Sequence, residues 1–290
     1  MDLKEHLKNA DPSIAKIILE LAVRSKEVKK LFYTIRGKAG TKNVHGEEQL
    51  HLDKEADNIF VEAFKKLDVV KTIVSEERDE LIQTGRKTGF GIALDPLDGS
   101  SCVETNLSVG PIIGIYKDGI MIGDVKIIAA AYVLYGPLTI LVYSVGKGTH
   151  EFVLQENGEW KLRKENIEIP EGKIYVPCGL RKNYVPDHEK LMQRMEKEGY
   201  KIRCVGSMIG DVHNLLTYGG LFCYPKLKDM PQGKLRLLFE VMPMSFIVKH
   251  AGGYATNGKE DILKIKPKKI TQRTPIYIGS KKLVESIRVE

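Results

Sequence analysis

The 290-residue sequence is poor in cysteine, with only Cys102, Cys178, Cys204 and Cys223, and it has a single tryptophan. The cysteines form no CxxC pair and no Cys/His ligand spacing. That excludes a disulfide-stapled scaffold and a zinc-finger module, and leaves reduced thiols in a cytoplasmic protein as the expectation. There is no internal repeat and no low-complexity tract. The first ten residues carry Asp2 and Glu5 and no apolar run, so neither a signal peptide nor a transit peptide is expected. One charge-free run, Ile127 to Val145, approaches the ~20 residues that a membrane helix needs. Gly136-Pro137 breaks it in the middle and its halves are rich in Tyr, Val, Ile and Leu, so it reads as two buried strands around a turn and not as a span. Clustered basic charge is also missing. Lys and Arg outnumber Asp and Glu by 45 to 38, yet they are spread along the chain, and the densest run, Lys264-Ile-Lys-Pro-Lys-Lys269, is short. The surplus favours anionic partners in general, and no nucleic-acid partner is expected.

What is present is a soluble, globular pattern long enough for one large domain or two coupled ones. Asp11-Pro12 reads as the cap and first residue of a helix continued by Ile14, Ile17, Ile18, Leu21, Val28 and Phe32. Arg36 to Lys42 reads as a loop, and a second helix is expected from His51 to Leu67. Apolar strands at Val69–Val74 and Phe90–Leu94 run straight into acids, and strand follows strand from Ile112 to Val145. Later come a strand at Ile174–Pro177, a helix from Asp187 to Glu198, a strand ending at Val205, and a helix capped by Ser207 and reaching Tyr218. A strand at Leu235–Phe239, a helix with Pro243 in its first turn, and a last strand at Ile276–Gly279 before a terminal helix complete the pattern. The mixture predicts a layered α/β protein with a soft boundary near residues 168–173, dividing it into halves 1–170 and 171–290.

The sharpest local feature is Asp95-Pro96-Leu97-Asp98-Gly99-Ser100-Ser101. Two carboxylates three residues apart on a tight turn can grip one hard cation, with the Leu97 carbonyl as a further oxygen. Ser100 and Ser101 then begin a helix whose N–H groups favour a phosphate. Asp and Ser are also ordinary turn and cap residues, so the spacing alone leaves a capping turn open as well. Glu76-Glu77 adds two adjacent acids at a strand end, whose repulsion a cation would relieve. Glu240 follows Leu237-Leu238-Phe239 and needs a partner, which Lys234 or Arg236 would supply if no ion does.

In their order, VSEE, DPLDGSS, GSMIGDVHNLLTYGG, GKLRLLFE and AGGYATNGKE resemble class I fructose-1,6-bisphosphatase, within the lithium-sensitive superfamily that includes inositol monophosphatase. The resemblance runs from about Ala15 to Val284. It implies a layered α-β-α-β-α sugar-phosphatase sandwich with mixed sheets, and Mg2+-dependent removal of the 1-phosphate of fructose 1,6-bisphosphate, with Mn2+ or Zn2+ as alternative ions. By the same resemblance Glu76, Asp95, Asp98, Glu240 and the Leu97 carbonyl are metal ligands, while Asp53 and Glu77 orient and deprotonate the attacking water. Glu47 stands where the family usually has an Asp on its catalytic loop, one methylene shorter. Gly99, Ser100, Ser101 and Arg236 match residues at the 1-phosphate, Lys234 and Met208 match sugar contacts, and Tyr224 and Arg203 match contacts of the 6-phosphate. The family's counterpart of Arg203 comes from a neighbouring subunit, which implies a homo-oligomer, a tetramer by resemblance.

Three positions depart from the family. Cys178 stands for an asparagine, Cys204 for a tyrosine, and Arg181 for another tyrosine. They read as a re-cut distal pocket in which Arg181, or its neighbour Lys182, carries phosphate charge. Pro177-Cys-Gly-Leu-Arg181 also resembles the comparable stretch of sedoheptulose-bisphosphatases, so that substrate, or both, stays open. The family's AMP-binding loop is here Asn9-Ala-Asp-Pro12, and its Lys-Tyr pair is Gly89-Phe90, which predicts weak AMP inhibition or none. Other readings are an inositol- or nucleotide-phosphate phosphatase and a non-catalytic sugar-phosphate sensor; the last predicts losses among the acids, and all are present. His213 tempts a histidine mechanism but reads as structural on an amphipathic helix.

Overall fold

The structure is a computed structural model that describes residues 1–34, 38–42 and 48–289, with only the backbone described for 38–42 and 48–50. The chain opens with a short helix α1 (Leu3–His6) and a long one, α2 (Pro12–Leu31). A hairpin β1 (Lys38–Lys42) and β2 (Glu48–Leu50) follows, then α3 (His51–Lys66), β3 (Val70–Ser75), β4 (Ile82–Gln83) and β5 (Phe90–Asp98). Next come β6 (Gly110–Tyr116), β7 (Ile127–Tyr135), β8 (Thr139–Ser144), β9 (His150–Leu154) and β10 (Trp160–Lys164). The remainder alternates: β11 (Ile174–Pro177), α4 (Pro186–Lys197), β12 (Lys201–Ile202), α5 (Met208–Tyr218), β13 (Leu221–Tyr224), α6 (Met242–His250), β14 (Tyr254–Thr256), β15 (Ile276–Gly279) and α7 (Lys281–Glu285).

The strands build an eight-stranded sheet of order β10-β9-β8-β7-β6-β5-β3-β4 and a five-stranded sheet of order β12-β11-β13-β15-β14. Both are mixed: β3 and β5 are parallel within an otherwise antiparallel sheet, and β12, β11 and β13 are parallel beside an antiparallel β15 and β14. A strand covered on both faces needs apolar residues at every position, which is why β5 and β6 show no polar alternation before the acids begin. Ile73, Ile92 and Leu94 point to one core, with Ile17, Leu21 and Phe60 of α2 and α3. Val74, Ala93 and Ile112 point to the other, with α5, α6 and the inner face of the small sheet. A third core packs α4 and α7 on the outer face of the small sheet through Leu191, Met195, Tyr277 and Val284. The result is the expected α-β-α-β-α sandwich.

The charge-free run forms β7 and β8, paired antiparallel with Tyr135 opposite Thr139 across Gly136-Pro137. No helix among the described residues is long and apolar enough to cross a membrane. Asp11 caps α2, accepting from the N–H groups of Ser13 and Ile14 at 2.8 and 3.2 Å.

Five local expectations need correction. Lys38 to Lys42 is a strand paired with β2, not a loop. Asp98 does not follow a tight turn: β5 continues through it across a bulge between Asp95 and Asp98. Ser100 to Cys102 make one 3-10 turn and no longer helix. The strand expected to end at Val205 stops at Ile202. Leu235–Phe239 is no strand: Leu237–Val241 form a wide helical turn in which Val241 N donates to Arg236 O at 3.1 Å, running directly into α6. A short apolar run between buried neighbours reads alike as strand or helix. Pro243, at the start of α6, and the Glu240 carboxylate, which accepts from Arg236 N at 2.7 Å, select the helical form.

Candidate active site

The carboxyl ends of β3 and β5, the turn after β5, the start of α5 and the wide turn before α6 meet at one cavity of about 590 Å³. Asp53 of α3, Glu76, Glu77, Asp95, Leu97 and Asp98 line one end, together with Gly99, Ser100, Ser101, Arg236 and Glu240. Met208, Tyr224, Lys234, Cys178 and Cys204 line the rest.

Asp95, Asp98 and Glu240 each offer a carboxylate oxygen within 4.8 Å of the others. All three are buried. Burial first, and then the charges of Glu76, Asp98 and Glu240, push the Asp95 carboxyl well above its ordinary range. Burial likewise raises Asp98 to about 7, although the Ile209 N–H, donating to Asp98 Oδ2 at 2.7 Å, pulls the other way. So many buried acids facing one another are costly without a compensating positive charge. Their donors are hard oxygens, so the residues present fit a divalent cation. Asp95 is oriented at the bulge of β5, its Oδ1 accepting from Leu97 N at 2.9 Å.

Arg236 is only 4% exposed and pairs with Glu76, with its guanidinium also 3.9 Å from Glu240 Oε2. The wide turn before α6 accounts for this: it brings Arg236 and Glu240 to the same point, where a strand would have spread their backbones about 13 Å apart. Gly99 adopts φ 77°, and a Cβ there would lie 2.3 Å from Ser207 Cβ. Glycine is therefore required for the chain to turn from β5 into Ser100-Ser101 beside the first turn of α5.

At the other end, Lys234 Nζ lies 6.0 Å from the centre of the Tyr224 ring. The structure does not bring Arg181 to this cavity. It is exposed, and its guanidinium is held by Glu189 at 2.8 Å and Glu196 at 3.0 Å, both on α4. Arg203 is also exposed and outside the lining, its guanidinium 4.8 Å from the Tyr218 ring. Glu47 lies outside the described residues. His213 sits away from the cavity, its Nδ1 2.7 Å from the Tyr132 hydroxyl. Sequence reasoning missed Asp211. This buried residue of α5 lines the cavity and accepts from Val205 N at 2.7 Å and Gly206 N at 3.3 Å. The signal for it was an acid in the first turn of a helix directly after a glycine-containing loop.

Two family models cover almost the whole chain: "Fructose-1-6-bisphosphatase, N-terminal domain" matches residues 5–165 and "Fructose-1-6-bisphosphatase, C-terminal domain" matches residues 169–289. A class 1 fructose-1,6-bisphosphatase of Geobacter sulfurreducens is 45% identical over 96% of this chain and 92% of its own. One from Methanocorpusculum labreanum is 39% identical over 98% and 90%. The crystal structure of Leishmania major fructose-1,6-bisphosphatase in holo form superposes with a TM-score of 0.92 at 30% identity, covering 98% of this chain and 97% of that one. Fold and acidic site therefore define a phosphatase of the layered α/β type. Within it, the chain belongs to the class 1 fructose-1,6-bisphosphatase family.

Proposed function

We propose that this chain hydrolyses the 1-phosphate of fructose 1,6-bisphosphate, with Mg2+ as the preferred ion. The observation that carries the reading is the convergence of Asp95, Asp98 and Glu240 within 4.8 Å, in a cavity shared with Ser100 and Ser101. Asp95, Asp98, Glu240 and Glu76, with the Leu97 carbonyl, would hold the ion, which when bound supplies charge neutralisation at the phosphoryl oxygens and makes water more acidic. Asp53 and Glu77 orient the attacking water and take its proton. Gly99, Ser100 and Ser101 bind the 1-phosphate, and Arg236 adds positive charge beside it. Met208 and Lys234 contact the sugar, and Tyr224 the distal phosphate. Residues 1–170 supply most of the acids and residues 171–290 the sugar contacts, with Glu240 reaching back across.

The exposed position of Arg203 supports its use across a subunit contact in a homo-oligomer, a tetramer by family resemblance. The four free thiols accord with a reducing, cytoplasmic setting. A second substrate, sedoheptulose 1,7-bisphosphate, is favoured by one observation: the far wall is built from Cys178 and Cys204, two small side chains.

A phosphate-release panel with both bisphosphates, inositol 1-phosphate and a nucleotide, run with Mg2+, Mn2+ and Zn2+, tests this reading. Release from fructose 1,6-bisphosphate with Mg2+ is expected. No release from either bisphosphate with any of the three ions would refute it.

A further inference from the structure

A second convergence of ligand-type side chains lies away from the cavity. His6 of α1, His150 of β9 and Glu165, just after β10, each offer one ligand atom, and these atoms lie within 4.8 Å of one another. We propose that His6, His150 and Glu165 form a separate site for a transition-metal ion of the Zn2+ type, which ties the N-terminal helix to the edge of the eight-stranded sheet.

The hydrogen bonds around the two rings fix which nitrogens are available. His150 Nε2 lies 3.2 Å from the Lys147 carbonyl oxygen. A carbonyl only accepts, so Nε2 carries the proton and Nδ1 keeps its lone pair. His6 Nδ1 bonds the Tyr143 hydroxyl, and His6 Nε2 faces Glu165 Oε1 at 3.4 Å. Each ring is thus held through one nitrogen by a neighbour, while the other makes only a long contact, His6 Nε2 to Glu165 and His150 Nδ1 to the Asn166 N–H. Metal-binding histidines are oriented in this way by partners outside the ligand set. The Asn166 N–H, 3.3 Å from His150 Nδ1, makes the long contact that an ion would displace.

Burial divides the ligands sensibly. His150 is 6% exposed and the His6 side chain 11%, whereas the Glu165 side chain is 52% exposed, so the ion enters from the Glu165 side. Two imidazoles and one carboxylate suit Zn2+, Cu2+, Ni2+ or Co2+ and discriminate against Mg2+, which prefers oxygen. The cavity carboxylates offer oxygen alone and suit Mg2+, so the site with two imidazoles is the one that selects against it. His6 is far in sequence from His150 and Glu165, which flank the paired strands β9 and β10, so a bound ion fastens α1 to that hairpin.

The test uses the full chain with Mg2+ in large excess, which fills the oxygen-only cluster, and Zn2+ as the probe. Wild-type protein is expected to retain one Zn2+ per chain at micromolar concentration against a chelating dye, and its Tm is expected to rise with Zn2+. His6→Gln and Glu165→Gln should each weaken Zn2+ binding about tenfold or more and abolish the rise in Tm, with Mg2+-supported phosphate release unchanged. Glu165 is surface-exposed, so its variant tests the site without disturbing the core. Co2+ in place of Zn2+ should give a visible absorption band that both substitutions remove. Equal Zn2+ retention by wild type and both variants overturns the site, as does failure of the wild type to retain Zn2+ at micromolar concentration.

Discussion

The backbone N–H of Ile209 donates to Asp98 Oδ2 at 2.7 Å, so the first turn of α5 is fastened directly to the acidic cluster. The helix that carries the cavity-lining Met208 and the end of β5 that carries Asp95 and Asp98 are therefore set relative to each other by one charged hydrogen bond. Such bonds are stronger than neutral ones.

Asp98→Asn keeps an oxygen for Ile209 and removes one buried negative charge. Turnover is expected to fall by about three orders of magnitude, on the scale of losing one charged ligand. Without metal, the Tm should rise, because like-charge repulsion is relieved. Phosphate release and thermal melts in EDTA check both halves, and near-normal activity would remove Asp98 from the site.

Gly99→Ala suffers twice, from a left-handed φ of 77° and from a Cβ 2.3 Å from Ser207 Cβ. A stability loss of about 2–3 kcal/mol is expected. Adding Ser207→Gly opens the space but leaves the backbone strained, and it also removes the hydroxyl that donates to Ser108 O and caps α5, so the double variant, compared with Ser207→Gly alone, should show only part of the loss. Urea denaturation of the single and double variants separates the two causes.

Asp211 holds the segment after β12 through the N–H groups of Val205 and Gly206, and that segment places Cys204 on the cavity wall. Asp211→Ala should raise KM for the bisphosphate about tenfold, the worth of one or two such bonds, with a smaller change in kcat. Steady-state kinetics on folded protein, checked by circular dichroism, reads this split. A loss in kcat alone would argue against a role in placing the substrate.

His188 is fully buried, its Nδ1 3.1 Å from the Tyr277 hydroxyl, and burial pulls its pKa down to about 4. Burial does the same to His213. In the unfolded chain a histidine titrates near 6.5, so as the pH falls the unfolded state takes up the proton first. The stability contributed by a neutral His188 is present above about pH 6.5 and is lost between there and about pH 4, by up to about 3 kcal/mol. The urea midpoint of wild type relative to that of His188→Gln should fall in the order pH 7, 6 and 5, since the raised carboxyls of Asp95, Asp98 and Asp211 act alike on both proteins.

The Asp11 carboxylate occupies the N-terminus of α2, where it accepts from Ser13 and Ile14. A negative side chain already seated there repels a nucleotide phosphate. Micromolar AMP is expected to leave activity unchanged, and strong inhibition in the same phosphate-release assay would refute this.

Local pattern and resemblance together were enough for the layered fold, the break in the charge-free run at Gly136-Pro137, the helix cap at Asp11 and the acids at strand ends. Each rests on interactions within a few residues or on a motif whose order is itself the signal. Sequence did not reveal the wide turn at Leu237–Val241, because an apolar run says that it is buried and not in which backbone form. Nor did it reveal the fate of Arg181. Its charge suited a phosphate, but Glu189 and Glu196 on α4 lie closer and hold it at the surface. Asp211 escaped for the same reason, since its partners are defined by where a loop closes and not by spacing. The acids were legible as residues; that Asp95, Asp98 and Glu240 share one 4.8 Å cluster is a fact of packing, because a ligand set drawn from one strand and a helical turn about 140 residues later exists only once the core between them has formed.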